Sequence, residues 1–126
     1  EQRVVLVGVS VDEGEADESR VGVRLRAGTS TTRVQRTGTS DMGGLMRTAV
    51  EATLAGLDEL VEDLPELRLA SVDRVLGGGF DVLLVIVRAP TVSNRPLAGA
   101  IPVVDADTES AAAAAALDAV NRIVGR

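Results

Sequence analysis

The sequence has 126 residues, a usual size for one domain; 45% of them are hydrophobic, and the net charge is −6. It contains no Cys, His, Lys, Tyr or Trp, which excludes disulfides, zinc–thiolate sites, histidine bases and lysine Schiff bases. The acidic balance disfavours nucleic acid and anionic membranes as partners. These features predict a cytoplasmic domain with an aliphatic core and without a cofactor or metal. Because the chain starts with Glu1 rather than Met, we expect a piece of a longer or processed protein.

Three strands are predicted before the first helix. Residues 3–11 are a β-branched run typical of a buried strand, and residues 20–27 alternate strictly between apolar and polar. The acidic segment 12–19 between them is interpreted as a solvated loop, since its spacing does not match an EF-hand calcium loop. A turn at 28–30 leads into a more polar strand, 31–38, near a sheet edge. The apolar face of the second strand carries Val21, Val23, Leu25 and Ala27.

The polar faces of the second and third predicted strands are rich in arginine. They carry Arg24, Arg26 and Arg33, and Arg36 is a further candidate for the same face. Two interpretations are open: a solvated face that balances the acidic loop, or a surface that binds anions through guanidinium groups.

The hydrophobic period changes from two to between three and four after this third strand. Apolar residues at helical spacing predict an amphipathic helix from Asp41 to about Asp63, which Pro65 would end. They are Met46, Val50, Leu54, Leu57, Val61 and Leu64. Ser40 or Asp41 is suited to cap this helix.

The segment "TGTSDMGGLM" joins the third strand to this helix. Gly43 and Gly44 stand in the first helical turn, where glycine is a poor helix former. The segment is therefore either a capped turn that tolerates two glycines or a site that holds a small molecule.

Three further strands are predicted at residues 66–76, 80–89 and 97–104, of which 80–89 is the most apolar and is placed at the centre of its sheet. The glycines at 77–79 lead into a strand and lack the P-loop pattern, so they predict a hairpin turn rather than a phosphate site. Pro102 cannot donate to a ladder, which predicts an edge or the end of a strand.

A second helix is predicted at residues 108–124, capped by Asp107 or Thr108. Its apolar face carries Ala113, Leu117, Val120 and Val124. Six consecutive alanines favour the helix and would let it approach a sheet or a second helix closely. The order βββα–βββα predicts an α+β fold of two tandem units, about 1–64 and 65–126, in one domain with antiparallel sheets packed against two helices.

This doublet resembles the C-terminal regulatory domain of 2-isopropylmalate synthase and its citramalate synthase relatives. The likeness runs from about Arg20 to Val124 and rests on "VGVRLRAGTSTTRVQRTGTSDMGGLMRTAVEATLAGLDEL" and "DADTESAAAAAALDAVNRIV". It is closest in "ALDAVNRIV" near the end of the chain. The resemblance implies a non-catalytic homodimeric domain that binds leucine or isoleucine near its strand-to-helix hinges, at the dimer interface.

The resemblance also implies which residues contact the effector. Carried over by position, they are Gly38, Ser40, Asp41, Gly43, Gly44, Asp105, Asp107 and Thr108. The chemistry agrees, because helix N-terminal amides favour a carboxylate and a hinge aspartate can take an ammonium group. Leu45, Met46 and Ala49 would line an aliphatic slot.

Three functions remain open on the sequence. The first is a regulatory and dimerisation domain that binds a small molecule at the hinges. The second is an assembly domain without a ligand. The third is an enzyme that uses paired carboxylates, Asp41 with Asp105 or Asp107, one of which would need a raised pKa.

Overall fold

The computed structural model describes residues 3–104 and 107–124 and shows the α+β fold that the sequence predicts. Each half of the chain contains three antiparallel strands followed by a helix. The elements are β1 (Val4–Glu13), β2 (Glu18–Ala27), β3 (Ser30–Thr39), α1 (Met42–Leu60), β4 (Arg68–Gly77), β5 (Phe80–Arg88), β6 (Leu97–Pro102) and α2 (Thr108–Val124). The tandem βββα arrangement is confirmed.

The strands form two three-stranded meanders, β1-β2-β3 and β4-β5-β6, called the first and second sheets. As predicted, β3 is an edge strand, β5 is central, and β6 ends on an edge at Pro102. The predicted glycine turn is a two-residue hairpin loop, in which Gly78 and Gly79 have φ of 60° and 83°. Positive φ at both loop positions matches the twist of the flanking strands and favours glycine.

The two helices pack against each other, and each of them contacts both sheets. This contact pattern places the helices between the sheets, so that each sheet has an inner face toward the helices and an outer face. The central strands supply the inner-face residues with an exposed fraction of 1% or less: Val21, Val23, Leu25, Leu83, Val85 and Val87. The alternation predicted for β2 is therefore confirmed, and the core is aliphatic.

Helix α2 is buried on more than the one face that the sequence predicts. Ala113, Leu117 and Val120 of the predicted face are buried. The alanines at 112, 115, 116 and 119 are buried as well, and each of these seven residues has 5% or less of its surface exposed. The helix contacts α1, β1, β5 and β6, which surrounds most of its circumference. Small side chains make this possible because they bring neighbouring backbones close together.

Several boundaries differ from the predicted ones. Strands β1 and β2 extend into the acidic segment, so that only residues 14–17 form the hairpin loop, which Gly14 closes by donating to the carbonyl of Glu18 (2.9 Å). Helix α1 ends at Leu60, before the predicted end, because the next residue, Val61, has an extended backbone (φ −108°, ψ 120°). The predicted strand 97–104 ends two residues early, at Pro102.

The alternation also breaks once in each sheet. Val7 is an extra residue between the pairs Leu6–Leu25 and Gly8–Arg24, which makes a bulge in β1. A second bulge occupies the corresponding place in β4, between Leu69 and Ser71. The two units therefore share a local irregularity near the start of their first strands.

Candidate functional site

The first hinge, residues 38–44, joins β3 to α1 and contains five of the predicted contact residues. Asp41 is the N-cap of α1: its backbone is extended (φ −68°, ψ 161°), and its carboxylate accepts a hydrogen bond from the amide of Gly44 (3.2 Å). Its carbonyl accepts from the amide of Leu45 (2.9 Å). The predicted capping role therefore belongs to Asp41.

The hinge glycines differ in what requires them. A Cβ on Gly44 would overlap the hydroxyl of Thr39 and come within 2.6 Å of its carbonyl oxygen, so the tight turn into α1 needs glycine there. A Cβ on Gly38 would overlap the hydroxyl of Thr48, where β3 lies against the helix. A Cβ on Gly43 would meet only the Asp41 carboxylate, at an ordinary 3.5 Å. Packing thus explains Gly38 and Gly44 but gives no reason for Gly43.

Ser40 ties the hinge to the β1–β2 hairpin. Its hydroxyl lies 2.7 Å from that of Ser19 in β2, which is buried, and its amide donates to the carbonyl of Asp17 (2.8 Å). A conformational change at Ser40 would therefore also affect the conformation of the acidic hairpin loop.

The carboxylate of Asp41 is exposed, and its pKa lies below the usual value of 3.8. The largest cause is a hydrogen bond from the Thr39 hydroxyl, and the amide of Gly44 adds to it. Both donors favour the charged form. Asp41 is therefore an anion at neutral pH that can face a cation, although part of its acceptor capacity already serves the cap.

The second hinge leads into α2, where Asp107 is the capping residue of the two that the sequence offered. Its carboxylate accepts from the amide of Ser110 (3.1 Å) and from its hydroxyl (2.6 Å). Thr108 is buried, with 8% of its surface exposed. Asp105 lies outside the described residues. No hydrogen bond within residues 3–104 and 107–124 joins this hinge to the first one.

The second hinge also holds two interacting carboxyl groups. A hydrogen bond between the side chains of Asp107 and Glu109 lowers the pKa of Asp107 and raises that of Glu109. The carboxyl with the raised pKa is thus a residue that the sequence did not single out. The pKa values of Asp41 and Asp107 are both lowered, so neither of these two aspartates has the raised pKa that the enzyme hypothesis requires of one member of the pair.

The three residues predicted to line an aliphatic slot lie in or against the core. Ala49 is fully buried, Met46 is 7% exposed, and Leu45 packs partly against the same core cluster. These side chains therefore contribute to the hydrophobic core that packs around α1.

Two hollows near the first unit were not predicted. The first, here called the hairpin hollow, has a volume of about 540 Å³ and is lined by Glu13, Gly14, Glu15, Glu18, Ser19, Arg20 and Thr37. It adjoins the first hinge through the hydrogen bond between Ser19 and Ser40. Six of its seven lining residues belong to the β1–β2 hairpin, residues 13–20, and the strand register adds the seventh, because Arg20 pairs with Thr37.

The second hollow, of about 440 Å³, lies between α1 and the segment before β4. Its polar lining includes Arg36, Glu51 and Asp58, and its apolar lining includes Leu54 and Leu64. This places Arg36 at the helix side of the first sheet, so the suggestion that it belongs to the outer arginine face is wrong. Arg36 pairs with Val21, whose neighbours on that face form the core.

The chain matches no protein-family model and none of the curated proteins with which it was compared. Within the described residues, no helix combines the length and apolar character needed to cross a membrane, and no three potential metal-ligating side chains cluster.

Proposed function

We propose that this chain is a non-catalytic regulatory and dimerisation domain that binds a small amino acid or related carboxylate beside its first hinge. The observation that carries the proposal is the hairpin hollow, in which acidic side chains and one guanidinium line the same space next to the hinge. An α-amino acid carries both opposite charges. Its ammonium group suits Glu13, Glu15 or Glu18, and its carboxylate suits Arg20.

The first hinge can couple the binding of such a ligand to the conformation of the rest of the domain. The hydroxyl pair of Ser19 and Ser40 links the wall of the hollow to the residue before the α1 cap. A ligand that orders the hairpin would therefore also bias the start of α1, which packs against α2. The tandem βββα fold and its resemblance to the isopropylmalate synthase regulatory domain support a branched-chain amino acid as the first candidate.

The experiment is a thermal-shift titration with leucine, isoleucine, valine and their 2-oxo acids. A ligand at 100 times its dissociation constant adds about 2.7 kcal/mol, which raises the melting temperature of a domain this size by roughly 5 °C or more. We expect the amino acids to bind more tightly than the 2-oxo acids, which lack the ammonium group. Arg20→Gln and Asp41→Asn should weaken the shift.

Arg95→Gln is the matched control, because it removes the same charge from an exposed loop between β5 and β6. Equal ligand-induced shifts of the melting temperature in wild type, Arg20→Gln and Asp41→Asn would show that the ligand does not bind in this region. If none of these compounds shifts the melting temperature, the second candidate function, an assembly domain without a ligand, is favoured instead.

The second candidate is an assembly domain without a ligand, which the outer face of the second sheet favours. Strand β5 places Val82, Leu84 and Ile86 on that face, where they are only half-buried, beside Ala98 and Ala100 of β6. A contiguous apolar face is a common mark of an interface between proteins. Homodimerisation through this face is part of both candidates, and the ligand titration separates them.

A further inference from the structure

The outer face of the first sheet concentrates positive charge on a protein whose net charge is −6. Strand β2 places Arg20, Arg24 and Arg26 on that face, and β3 adds Arg33. Arg24 and Arg33 are direct cross-strand partners. Like charges directly opposite each other destabilise a strand pair, so this pairing needs a compensating interaction.

The residues that the structure describes do not supply that compensation. The ion pairs found among them join Arg68 to Glu66 and Arg74 to Asp81, all on or next to the second sheet. On the arginine face carboxylates occur at the hairpin end, where Asp12 pairs with Arg20 and Glu18 pairs with Thr39. The outer positions of β3 around Arg33 hold threonine and glutamine, so no carboxylate of that strand neutralises the pair.

A hollow of about 250 Å³ opens beside the arginine pair. It is lined by Gly8, Val9, Ser10, Gly22, Arg24 and Arg33 and is here called the arginine hollow. Gly22 leaves its floor open, because a Cβ there would stand 2.8 Å from the Ser10 hydroxyl and 3.8 Å from Nε of Arg33. Nothing lies within 4 Å of the place where a Cβ on Gly8 would be.

We propose that the arginine hollow binds a phosphate group, free or as a small monoester. Two guanidinium groups can each offer a pair of parallel N–H donors to phosphate oxygens, and the Ser10 hydroxyl adds another donor. The volume is smaller than that of a pocket for a drug-sized ligand, which suits a compact anion. A bound dianion also removes the repulsion between Arg24 and Arg33. The site is separate from the hairpin hollow, because the two share no lining residue.

The test compares inorganic phosphate, glycerol phosphate, succinate and chloride at equal ionic strength, by calorimetric titration and by thermal unfolding. We expect both phosphates to bind and to stabilise the protein beyond chloride, and succinate to bind more weakly. Arg24→Gln and Arg33→Gln should each lower phosphate affinity roughly tenfold, the usual scale for a hydrogen bond to a charged group. Ser10→Ala should lower it less, without a change of charge.

Arg95→Gln is the control with the same change of charge, and its affinity for phosphate should equal that of the wild type. In chloride alone, Arg24→Gln should be at least as stable as the wild type, because it removes the repulsion without removing an ion pair. The proposal is overturned if phosphate acts no more strongly than chloride or succinate. It is also overturned if phosphate stabilises Arg24→Gln, Arg33→Gln and Arg95→Gln equally, which would be the behaviour of a solvated arginine face.

Discussion

Gly99 of β6 lies so close to Ala115 of α2 that a Cβ on the glycine would overlap the alanine's main-chain carbonyl oxygen. The first unit has a similar approach between Gly38 of β3 and Thr48 of α1. In both units the third strand therefore carries a glycine that lets the following helix pack onto its sheet. The close approach of each helix to its sheet, together with the small alanine side chains of α2, allows two helices to pack between two sheets in a chain of this size.

Gly99→Ala should destabilise the protein by about 2 kcal/mol or more. The added methyl meets main-chain atoms of Ala115 and Ala119, which cannot rotate away as a side chain can. Chemical denaturation monitored by circular dichroism measures the loss. Gly77→Ala is the control, since nothing lies within 4 Å of its Cβ position and its φ is not positive. Similar stabilities for the two variants would contradict the close approach of β6 and α2.

The neighbouring glycines of the first hinge should respond in opposite ways. Gly44→Ala should destabilise the protein strongly, because its methyl would overlap Thr39 at the turn into α1. Gly43→Ala should be neutral or stabilising by up to about 1 kcal/mol, since alanine is the better helix former and its methyl has room. Thermal unfolding of both variants gives the comparison.

The same pair also bears on ligand binding. If Gly43→Ala folds normally but its melting temperature no longer rises with amino acids, glycine is required at position 43 for ligand binding. If its response is unchanged, the residue is only tolerated in the helix. A Gly43→Ala variant as unstable as Gly44→Ala would show that the hinge geometry described above is wrong.

Asp41 should make the stability of the protein depend on pH in acid. Its folded-state pKa is lowered below 3.8, so the unfolded chain binds the proton more readily. The contribution of the charged cap is therefore fully present above the unfolded pKa and is lost as pH falls through the lower folded pKa. Asp41→Asn keeps a capping oxygen without that charge. Melting temperatures from pH 7 to pH 2 should show a constant difference between the two proteins down to about pH 5, which then shrinks. A difference that stays the same below pH 3 would argue against the electrostatic cause.

The sequence predicted the elements well because their signals are local. The alternation of residues 20–27 gave the buried face of β2, and the glycines at 78 and 79 gave the hairpin. Asp41 was identified as a cap candidate because capping depends on a few adjacent residues. The six alanines predicted a helix but not its burial on most sides, since a run of one small residue has no polar face to contrast with an apolar one.

The candidate sites were harder to predict, because they depend on which residues the strand pairings bring together. The arginine hollow requires Ser10 opposite Gly22 and Arg24 opposite Arg33, and the bulge at Val7 determines the first of these registers. The placement of Arg36 on the helix side required the same information. Glycine is needed at position 44 because the turn into α1 brings this residue against Thr39. The hydrophobic periodicity of the sequence does not reveal such a contact.

Val82→Asp should prevent self-association if the outer face of the second sheet is the dimer interface. Val82 lies on that face in β5, and a buried unpaired carboxylate in an interface costs more than the contacts it replaces. Light scattering at micromolar concentration should give a dimer for the wild type and a monomer for the variant. Val92→Asp makes the same replacement in an exposed loop, at a valine that is 57% exposed, and should remain a dimer. Because Asp in a central strand can also weaken folding, Ala100→Glu tests the same face at an exposed position of β6, paired with Leu84. A monomeric wild type, or dimers for both interface variants, would move the interface away from this sheet.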